Sequence, residues 1–432
     1  MRILIHGINY SPELTGIGKY TGEMAEWLAA QGHQVRVVTA PPYYPQWRVA
    51  EGFANWWRKE QRQRQTQTQT LPHPNPPPLG EGINIKGSLV VYRCPLWVPA
   101  KPSGLKRVLH LASFALSSFP IMLRQVFWRP DMVWVVEPPL FCAPQAWLVA
   151  RLSGGKAWLH IQDFEVDAAF DLGLLKGAWL QRMVVAGERW LMRQFDRVST
   201  ISQRMVVRAV AKGVAPGRVV LFPNWVDLEG LRVDESGTKV LRAELGIPAD
   251  AVVALYSGNM GNKQGLEILA EAAKLLEENA CLQFVFCGNG AGREELVERG
   301  MGLSNVRFLD LQPMEKLGAL LGMADIHLLP QRADAADLVM PSKLTGMLAS
   351  GRPVVATAHA GTELADVVNG RGLVTPPGDA VAFAEAIAAL AEDPARRLEL
   401  GFAGRRYAET YLDKHAVLGQ FERELLDLKR RR

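Results

Sequence analysis

Residues 337–351 read DLVMPSKLTGMLASG and run directly into RPVVAT at residues 352–357. Pro341 and Ser342 predict a helix start, because proline suits a first turn and a serine oxygen can cap free backbone N–H groups. Apolar residues then recur at helical spacing: Leu344, Met347 and Leu348. The stretch therefore predicts a loop followed by a short helix with one buried face.

The end of this helix is marked as clearly as its start. Gly351 suits the left-handed position that follows a helix, and Pro353 prevents the helix from continuing. Val354 and Val355 then restart the chain as a buried strand. Loop, helix, glycine stop and strand together form the repeating unit of an α/β fold.

Lys343 lies in the first turn of the predicted helix. A helix start offers unpaired N–H groups and a partial positive charge, so a cation there is unfavourable for the helix alone. An anion held between Lys343 and those amides would resolve the conflict. The alternative is an ordinary α/β unit with a solvated lysine, and this stretch alone leaves both open.

The same order of strand, glycine-rich loop and helix opens both halves of the chain. The strand Arg2–His6 leads to Gly16 and Gly18, and the strand Val252–Ser257 leads to a loop at residues 258–265. Repeated units of this kind predict two doubly wound α/β domains. Because Gly16-x-Gly18 is only part of the dinucleotide fingerprint, the sequence supports a redox dinucleotide site weakly.

Composition agrees with two domains. The chain has 432 residues, of which 48% are hydrophobic, enough for two cores. The formal net charge of +5 favours anionic partners such as phosphorylated ligands or acidic lipids. Basic residues are dispersed except at the C-terminus, and no nucleic-acid motif is visible, so no nucleic-acid partner is expected.

The four cysteines show no paired spacing typical of a metal site. Cys281 and Cys287 flank a strand-like run, which favours buried free thiols. No signal peptide is visible at the N-terminus, so we expect a cytoplasmic protein.

Residues from about 61 to 86 interrupt the α/β pattern with an alternating Thr/Gln tract and a proline run. This composition cannot bury a core, so it predicts a disordered surface insertion within the first domain. The alternative is a proline-rich docking segment.

Residues 108–128 are strongly apolar and are flanked by basic residues. His110, Pro120 and three serines interrupt them too often for a membrane span. One interpretation is a crossover helix packed on the sheet, and the other is a helix that dips into an anionic membrane surface. We expect a core helix with a membrane-facing edge.

The predicted strand at 156–163 ends in a polar cluster, whose members are His160, Gln162, Asp163, Glu165 and Asp167. Polar groups at the carboxyl ends of parallel strands lie where open α/β sheets bind ligands. The structural alternatives are a buried strand histidine bonded to backbone and an aspartate that caps a helix.

Several motifs extend these features: GIG at 16–18, FPNWVD at 222–227, FCGNG at 286–290, ADIHLLP at 324–330 and PPGD at 376–379. Together they resemble the retaining glycosyltransferases of family 4, over almost the whole chain outside the insertion. Three longer stretches are similar to fucosyltransferases of colanic acid biosynthesis: GINYSPELTGIGKY at 7–20, APPYYP at 40–45 and LHIQD at 159–163.

The resemblance implies the GT-B fold, in which two Rossmann-like domains face each other across a cleft. It implies an acceptor-binding domain at 1–224, a nucleotide-sugar-binding domain at 225–405, and a C-terminal helix at 406–432 that could return to the N-terminal domain.

The implied activity is transfer of a hexosyl unit, with fucosyl as one candidate, from a GDP- or UDP-linked sugar to a lipid-linked saccharide in exopolysaccharide biosynthesis. The implied mechanism retains the anomeric configuration, without a cofactor or an obligatory metal ion, on the inner face of the cytoplasmic membrane. The alternatives are a sugar-nucleotide 2-epimerase of the same fold and a non-catalytic polysaccharide assembly protein.

The resemblance also implies roles for individual residues. The expected donor-diphosphate residues are Lys343, Ser342, Lys263, Gly258, Asn259, Gly16 and Gly18. The expected donor-sugar residues are Asp337 and Thr345. The expected catalytic residues, which would position donor or acceptor hydroxyls, are Asp163 first and His160 second.

The chain departs from the family at the donor sugar. Family members often carry two glutamates eight positions apart, and the matching positions here hold Leu338 and Gly346. Asp337, one residue away, is a candidate substitute. The usual Arg and Lys of the first loop of the second domain look replaced by Asn259 and Gln264, which leaves Lys263 as the nearby cation.

Overall fold

The computed structural model describes residues 1–13, 16–62, 87–100, 104–167, 178–231, 233–261, 264–333 and 340–430. These residues form two compact units. Unit 1 lies within residues 1–201, 205–222 and 418–432, and unit 2 within residues 202–204 and 223–417. Both units are α/β, as the alternation of strands, loops and helices predicts.

An eight-stranded sheet forms the centre of the described part of unit 1. Its strands are β1 Arg2–His6, β2 Gln34–Thr39, β3 Arg58–Arg62, β4 Ser88–Arg93, β5 Met132–Glu137, β6 Lys156–Ile161, β7 Arg197–Thr200 and β8 Val219–Leu221. Their order is β3-β4-β2-β1-β5-β6-β7-β8. Only the β3–β4 pair is antiparallel among the described strands, so the loops after β1, β2, β5 and β6 lie at one edge.

Helices cover this sheet because parallel strands bury both faces. They are α1 Gly16–Ala30, α2 Gly104–Gln125, α3 Ala143–Ser153, α4 Ala178–Met192 and α5 Gln203–Ala211. Met24 and Leu28 form part of the buried face of α1, as their helical spacing predicts.

A six-stranded parallel sheet forms the centre of the described part of unit 2, in the order β11-β10-β9-β12-β13-β14. Its strands are β9 Val252–Ser257, β10 Leu282–Cys287, β11 Val306–Leu309, β12 Ile326–Leu329, β13 Val354–Thr357 and β14 Gly372–Thr375. Its helices are α6 Glu235–Glu244, α7 Glu267–Leu275, α8 Arg293–Arg299, α9 Leu317–Met323, α10 Lys343–Ala349, α11 Glu363–Val368, α12 Ala380–Glu392 and α13 Pro394–Tyr411. Buried apolar side chains from both faces of the sheet form its core.

The last helix, α14 (Lys414–Arg430), belongs to unit 1 from residue 418 onward. There Phe421 stacks on Phe222 with 4.4 Å between ring centroids and lies edge-on to Trp158 at 5.1 Å. Glu422 accepts a hydrogen bond from the His33 ring at 2.7 Å. The C-terminal helix is thus part of the unit 1 core.

The opening stretch of the sequence forms α10 and β13, and Leu344, Met347 and Leu348 are buried. Gly351 adopts the expected left-handed conformation, with a φ of 72°. The predicted serine cap is wrong, because Ser342 already has helical dihedral angles and its side chain caps no N–H group. Instead its carbonyl oxygen accepts a hydrogen bond from Thr345 Oγ1 at 2.9 Å.

Two further expectations need correction. Gln61 and Arg62 belong to the end of β3 rather than to the insertion, and residues 63–86 lie outside the described residues. Cys287 is buried as expected, but Cys281 is exposed because it lies just before β10 begins at Leu282.

The apolar stretch at 108–128 forms most of α2 and the turn that follows it. One face of α2 is buried and includes Phe114 and Met122. Within the described residues, no helix combines the length and the apolar character that crossing a bilayer requires.

Candidate functional site

The structure brings several predicted residues of unit 2 together around Lys343, the first residue of α10. Lys343 Nζ donates to Tyr256 Oη at 2.8 Å and to Gln264 Oε1 at 3.0 Å, and lies 4.1 Å from the Tyr256 ring centroid. Tyr256 Oη donates to the Asn259 carbonyl at 2.7 Å. A Cβ on Gly258 would lie 3.5 Å from Lys343 Cε. We call these five residues the Lys343 site.

The electrostatics of the Lys343 site are unusual for a lysine. Within the described part of the chain, Lys343 forms no ion pair, and its hydrogen-bond acceptors are a phenol and an amide. Burial lowers the pKa of Lys343 to about 7. Lys343 is partly buried, and an ammonium group surrounded by neutral oxygens is costly there, so an anionic ligand would be favoured.

Two glycine-containing loops, after β9 and after β10, pack closely against each other beside this site. Met260 N–H donates to the Asn289 carbonyl at 3.0 Å, and a Cβ on Gly288 would overlap the Gly258 carbonyl. Gly288 has a φ of 149° and Gly258 a φ of 132°. These glycines therefore serve a close approach of two loops at the carboxyl ends of β9 and β10.

Two other predicted donor residues, Ser342 and Thr345, lie in the first turn of α10 and bond to each other through the backbone of Ser342. Lys263 and Asp337 lie outside the described residues. Tyr256 was not predicted from the sequence. The available signal was a tyrosine at the end of a buried strand, directly before the Gly258 loop.

In unit 1, His160 is a buried strand residue, with 2% of its surface exposed. Its Nδ1 lies 2.8 Å from Ser199 Oγ, and its Nε2 lies 2.9 Å from the Gln162 amide nitrogen. The ring stacks on Trp134 with centroids 5.3 Å apart. Burial lowers the pKa of His160 to about 3, so the ring is neutral and both nitrogens are occupied by side chains. This geometry fits positioning better than proton transfer.

Asp163 is half-buried, two residues beyond the end of β6. Burial raises the pKa of the nearby Glu165, and the charge of Asp163 raises it further. Glu165 Oε2 accepts the Leu140 N–H at 2.7 Å, and the Glu165 N–H donates to Glu137 Oε1 at 3.4 Å. Burial also raises the pKa of Glu137 strongly. Three carboxyl groups thus lie at the carboxyl ends of β5 and β6. The sequence placed Asp163 and Glu165 in one polar cluster, but only Asp163 was predicted to be catalytic, and Glu137 was not predicted.

Asp167, a member of the same sequence cluster, has a different environment. It accepts from Arg208 Nε at 2.8 Å and from Lys212 Nζ at 2.9 Å, and Lys212 also pairs with the buried Glu188. These contacts are typical of a structural ion network. In the described ranges, no three His, Cys, Asp or Glu side chains are arranged to hold a metal ion.

Gly16 and Gly18 begin α1 and have different surroundings. Gly16 has a φ of 60° and open space where a Cβ would point. A Cβ on Gly18 would lie 2.5 Å from Glu13 Oε2. Glu13 is a residue that sequence reasoning passed over, although a glutamate in a glycine-rich loop at a strand end was visible.

Known proteins match this chain along its length. Residues 15–225 match the family described as "Glycosyl transferase 4-like domain", and residues 251–393 match "Glycosyl transferases group 1". WcaI of Escherichia coli strain K12, a glycosyl transferase named for colanic acid biosynthesis, is 46% identical over 430 residues, 98% of each chain. The chain belongs to the glycosyltransferases.

More distant proteins are similar to this chain in sequence or in fold. D-inositol 3-phosphate glycosyltransferase 1 of Catenulispora acidiphila is 30% identical over 273 residues, which cover 58% of this chain and 64% of that protein. The structure of sucrose-phosphate synthase from Thermosynechococcus elongatus superposes with a TM-score of 0.71 at 18% identity. The match covers 99% of this chain and 100% of that chain.

Two further structures show the same GT-B fold. Anabaena HepE, solved in complex with UDP and glucose, has a TM-score of 0.67 at 14% identity and covers 99% of this chain and all of its own. WaaG, a glycosyltransferase involved in lipopolysaccharide biosynthesis, has a TM-score of 0.60 at 16% identity, covering 96% and 98%. These structural matches confirm the fold prediction. The similarity to WcaI and the two family matches favour the glycosyltransferase prediction over the epimerase and assembly-protein alternatives.

Proposed function

We propose that this glycosyltransferase moves a hexosyl unit, with fucosyl as one candidate, from a nucleoside diphosphate sugar to a lipid-linked saccharide during colanic acid biosynthesis, with retention of configuration. The observation that carries the donor chemistry is Lys343, a partly buried amine without a carboxylate partner in the described residues. Full-length similarity to WcaI supports the pathway.

The proposed role of the Lys343 site follows from the charge that develops in the reaction. The bond from the anomeric carbon to the diphosphate oxygen breaks, and negative charge accumulates on the leaving group. Lys343 would take up a proton as the diphosphate binds and then stabilise this charge, with Gly258 allowing a close approach to the backbone. Masked from bulk water, such a contact is stronger than in solution.

The acceptor hydroxyl forms the new bond to the anomeric carbon, and its proton passes to the departing diphosphate. Attack from the same face as the leaving group retains the configuration. Asp163 would orient a hydroxyl at the edge of the unit 1 sheet, while His160 would hold its loop through Gln162. Asp337 and Thr345 are proposed to contact the donor sugar.

A membrane surface is the proposed location of the acceptor. Helix α2 contains no acidic residue, and its exposed apolar side chains include Leu105, Leu109 and Leu116, with 73%, 51% and 76% of their surfaces exposed. Lys106 and Arg107 are exposed on the same helix. Apolar side chains beside basic ones fit peripheral binding to an anionic leaflet on the cytoplasmic side.

The test is a screen of purified protein against GDP- and UDP-linked hexoses, with a polyprenyl-diphosphate saccharide in vesicles as acceptor. We expect glycosylated lipid only when donor and acceptor are both present, and NMR of the product should show the anomeric configuration of the donor. Isomerised donor without acceptor would identify an epimerase. Donor binding without any turnover would favour the assembly protein.

A further inference from the structure

We infer that Glu13 is a positioning residue that fixes the loop after β1 to the loop after β2. We also infer that Gly18 is glycine because the Glu13 side chain fills the space beside it. The consequence for turnover rests on the proposed function, because the loop after β1 leads to Gly16 and Gly18. The structural part concerns unit 1 alone and needs no substrate.

Glu13 collects hydrogen bonds from two separate loops. Its side chain is nearly inaccessible, with 6% of the residue exposed. Oε1 accepts the Tyr43 and Tyr44 N–H groups, each at 3.1 Å, and Oε2 accepts Asn9 Nδ2 at 2.9 Å. Buried N–H groups need hydrogen-bond partners. The Glu13 carboxyl group serves as the partner of two backbone N–H groups in the loop after β2 and of the Asn9 side chain in the loop after β1.

Arg93, at the end of β4, fastens the same two loops a second time. Its guanidinium donates to the Ser11 carbonyl at 2.8 Å and to the Ala40 carbonyl at 2.9 Å, and pairs with Glu60 at 3.0 Å. Only 3% of Arg93 is exposed. Glu13 and Arg93 therefore hold three strand ends of the unit 1 sheet in one arrangement.

Gly18 is explained by this arrangement rather than by its own backbone. A Cβ there would lie 2.5 Å from Glu13 Oε2 and 2.7 Å from Glu13 Cβ, which is closer than real Cβ atoms approach. Gly18 lies in the first turn of α1, and its φ is outside the left-handed region that favours glycine. A Cβ on Gly16, by contrast, would meet open space.

The carboxyl group of Glu13 titrates within the physiological range. Burial raises the pKa of Glu13 to about 7, and the N–H donors and the charge of Arg93 oppose this rise. The other titratable groups that face it are the phenols of Tyr43 and Tyr44, whose pKa values are raised by burial, and Arg107 of α2 acts on both phenols.

The sign of the linkage follows from the raised pKa. The folded protein holds the Glu13 proton more tightly than the unfolded chain does, so this contribution to stability is complete below the ordinary glutamate pKa. It is lost as the pH rises through about 7. Unit 1 should therefore be most stable when Glu13 is neutral, because burial penalises the charged form of its carboxyl group.

The first experiment places Gly18→Ala in two backgrounds, wild type and Glu13→Gly. In wild type the new methyl group collides with Glu13, so the melting temperature should fall by about 5 °C. In the Glu13→Gly background the collision is absent, and Gly18→Ala should leave the melting temperature unchanged or raise it, since alanine favours helix over glycine. Gly187→Ala in α4, where a Cβ meets open space, is the matched control.

An equal loss of melting temperature in both backgrounds would overturn the explanation of Gly18. So would an unchanged melting temperature in wild type together with a raised donor KM, because the glycine would then serve the ligand. These results are distinct from failure of the proposed function, since thermal unfolding requires no turnover.

The second experiment uses Glu13→Gln, which keeps an oxygen acceptor but does not titrate. It tests the positioning role of Glu13 even if Glu13→Gly does not fold. Between pH 5 and 8.5 the melting temperature of wild type should decline relative to that of Glu13→Gln as the pH rises to about 7, and the difference should then stay constant at higher pH. At pH 6 Glu13→Gln should keep kcat within about threefold, as expected for a group that acts through hydrogen bonds rather than on the reacting atoms. Parallel melting curves across this pH range, or a loss of kcat above about 100-fold with an unchanged melting temperature, would overturn the positioning role.

Discussion

The described neighbours of Lys343 supply no negative charge to balance its ammonium form. Its bonds to Tyr256 and Gln264 supply neutral oxygens, and burial lowers its pKa to about 7. Sequence reasoning placed a cation in the first turn of α10, but the phenol that contacts it belongs to β9 and the amide to the loop after β9. The site thus combines a local signal with long-range packing.

Replacing Lys343 by alanine should weaken binding of a nucleoside diphosphate by about 10- to 150-fold, the effect of losing a hydrogen bond to a charged group, worth about 1.5–3 kcal/mol. Isothermal titration calorimetry measures this change directly. Lys274→Ala, at an exposed lysine of α7, is the control and should leave the affinity unchanged. An unchanged affinity in Lys343→Ala would refute the diphosphate assignment.

The lowered pKa of Lys343 also predicts how binding depends on pH. Above about pH 7 the free lysine is largely neutral, and a bound diphosphate raises its pKa, so binding takes up a proton. Affinity should therefore fall as the pH rises from 7 to 9. Calorimetry in two buffers of different ionisation enthalpy should detect proton uptake by wild type and none by Lys343→Ala.

Helix α2 has one buried face and exposed apolar side chains outside that face. Its buried face is anchored through His6 and Ser118, whose side chains lie 3.1 Å apart, and through a hydrogen bond from Gln145 to the Ala115 carbonyl at 2.7 Å. Its exposed leucines serve no core. The apolar stretch in the sequence is compatible with a core helix and with a membrane-surface helix. The structure shows that one face packs in the core while several apolar side chains outside it stay exposed.

The pair Leu109→Gln and Leu116→Gln should lower binding to anionic vesicles by about tenfold, because two apolar side chains no longer enter the interface. Co-sedimentation across a salt series measures it, and high salt should weaken wild-type binding by screening Lys106 and Arg107. Met301→Gln, equally exposed at 76% but in unit 2, is the matched control. Equal binding by all three proteins would exclude α2 as the membrane contact.

At the scale of the whole molecule, the chain passes from unit 1 to unit 2 near residue 223 and back near residue 418. The returning helix α14 contributes Phe421 to the unit 1 core and pairs Lys429 with Asp131 at 3.1 Å. Unit 1 is therefore incomplete until the C-terminus has been synthesised.

Phe421→Ala should lower the free energy of unfolding of unit 1 by about 3–5 kcal/mol, the usual cost of removing a buried phenylalanine. Chemical denaturation followed by the fluorescence of Trp158 would report it, because this indole lies against Phe421. Phe402→Ala in α13, where 65% of the residue is exposed, should change stability by less than about 0.5 kcal/mol. A small effect at Phe421 would mean that α14 is dispensable for unit 1.

The sequence by itself determined the two α/β units and the unit of loop, helix and strand around Lys343. An apolar run such as Val133–Val136 indicates a buried strand, and a glycine such as Gly351 indicates the end of a helix. Both signals can be read from residues that are adjacent in the sequence. The resemblance of the longer motifs added the GT-B fold, which full-length structural matches confirm.

Only the tertiary structure decided which distant residues meet. Glu13 bonds to Tyr43, 30 residues away, and His160 lies beside Ser199, 39 residues away, because the order of strands in the sheet brings their ends together. It also decided that a cap predicted at Ser342 is absent. Periodicity reports whether a side chain is buried but not against what, since the partner depends on strand order and register, which local pattern does not encode.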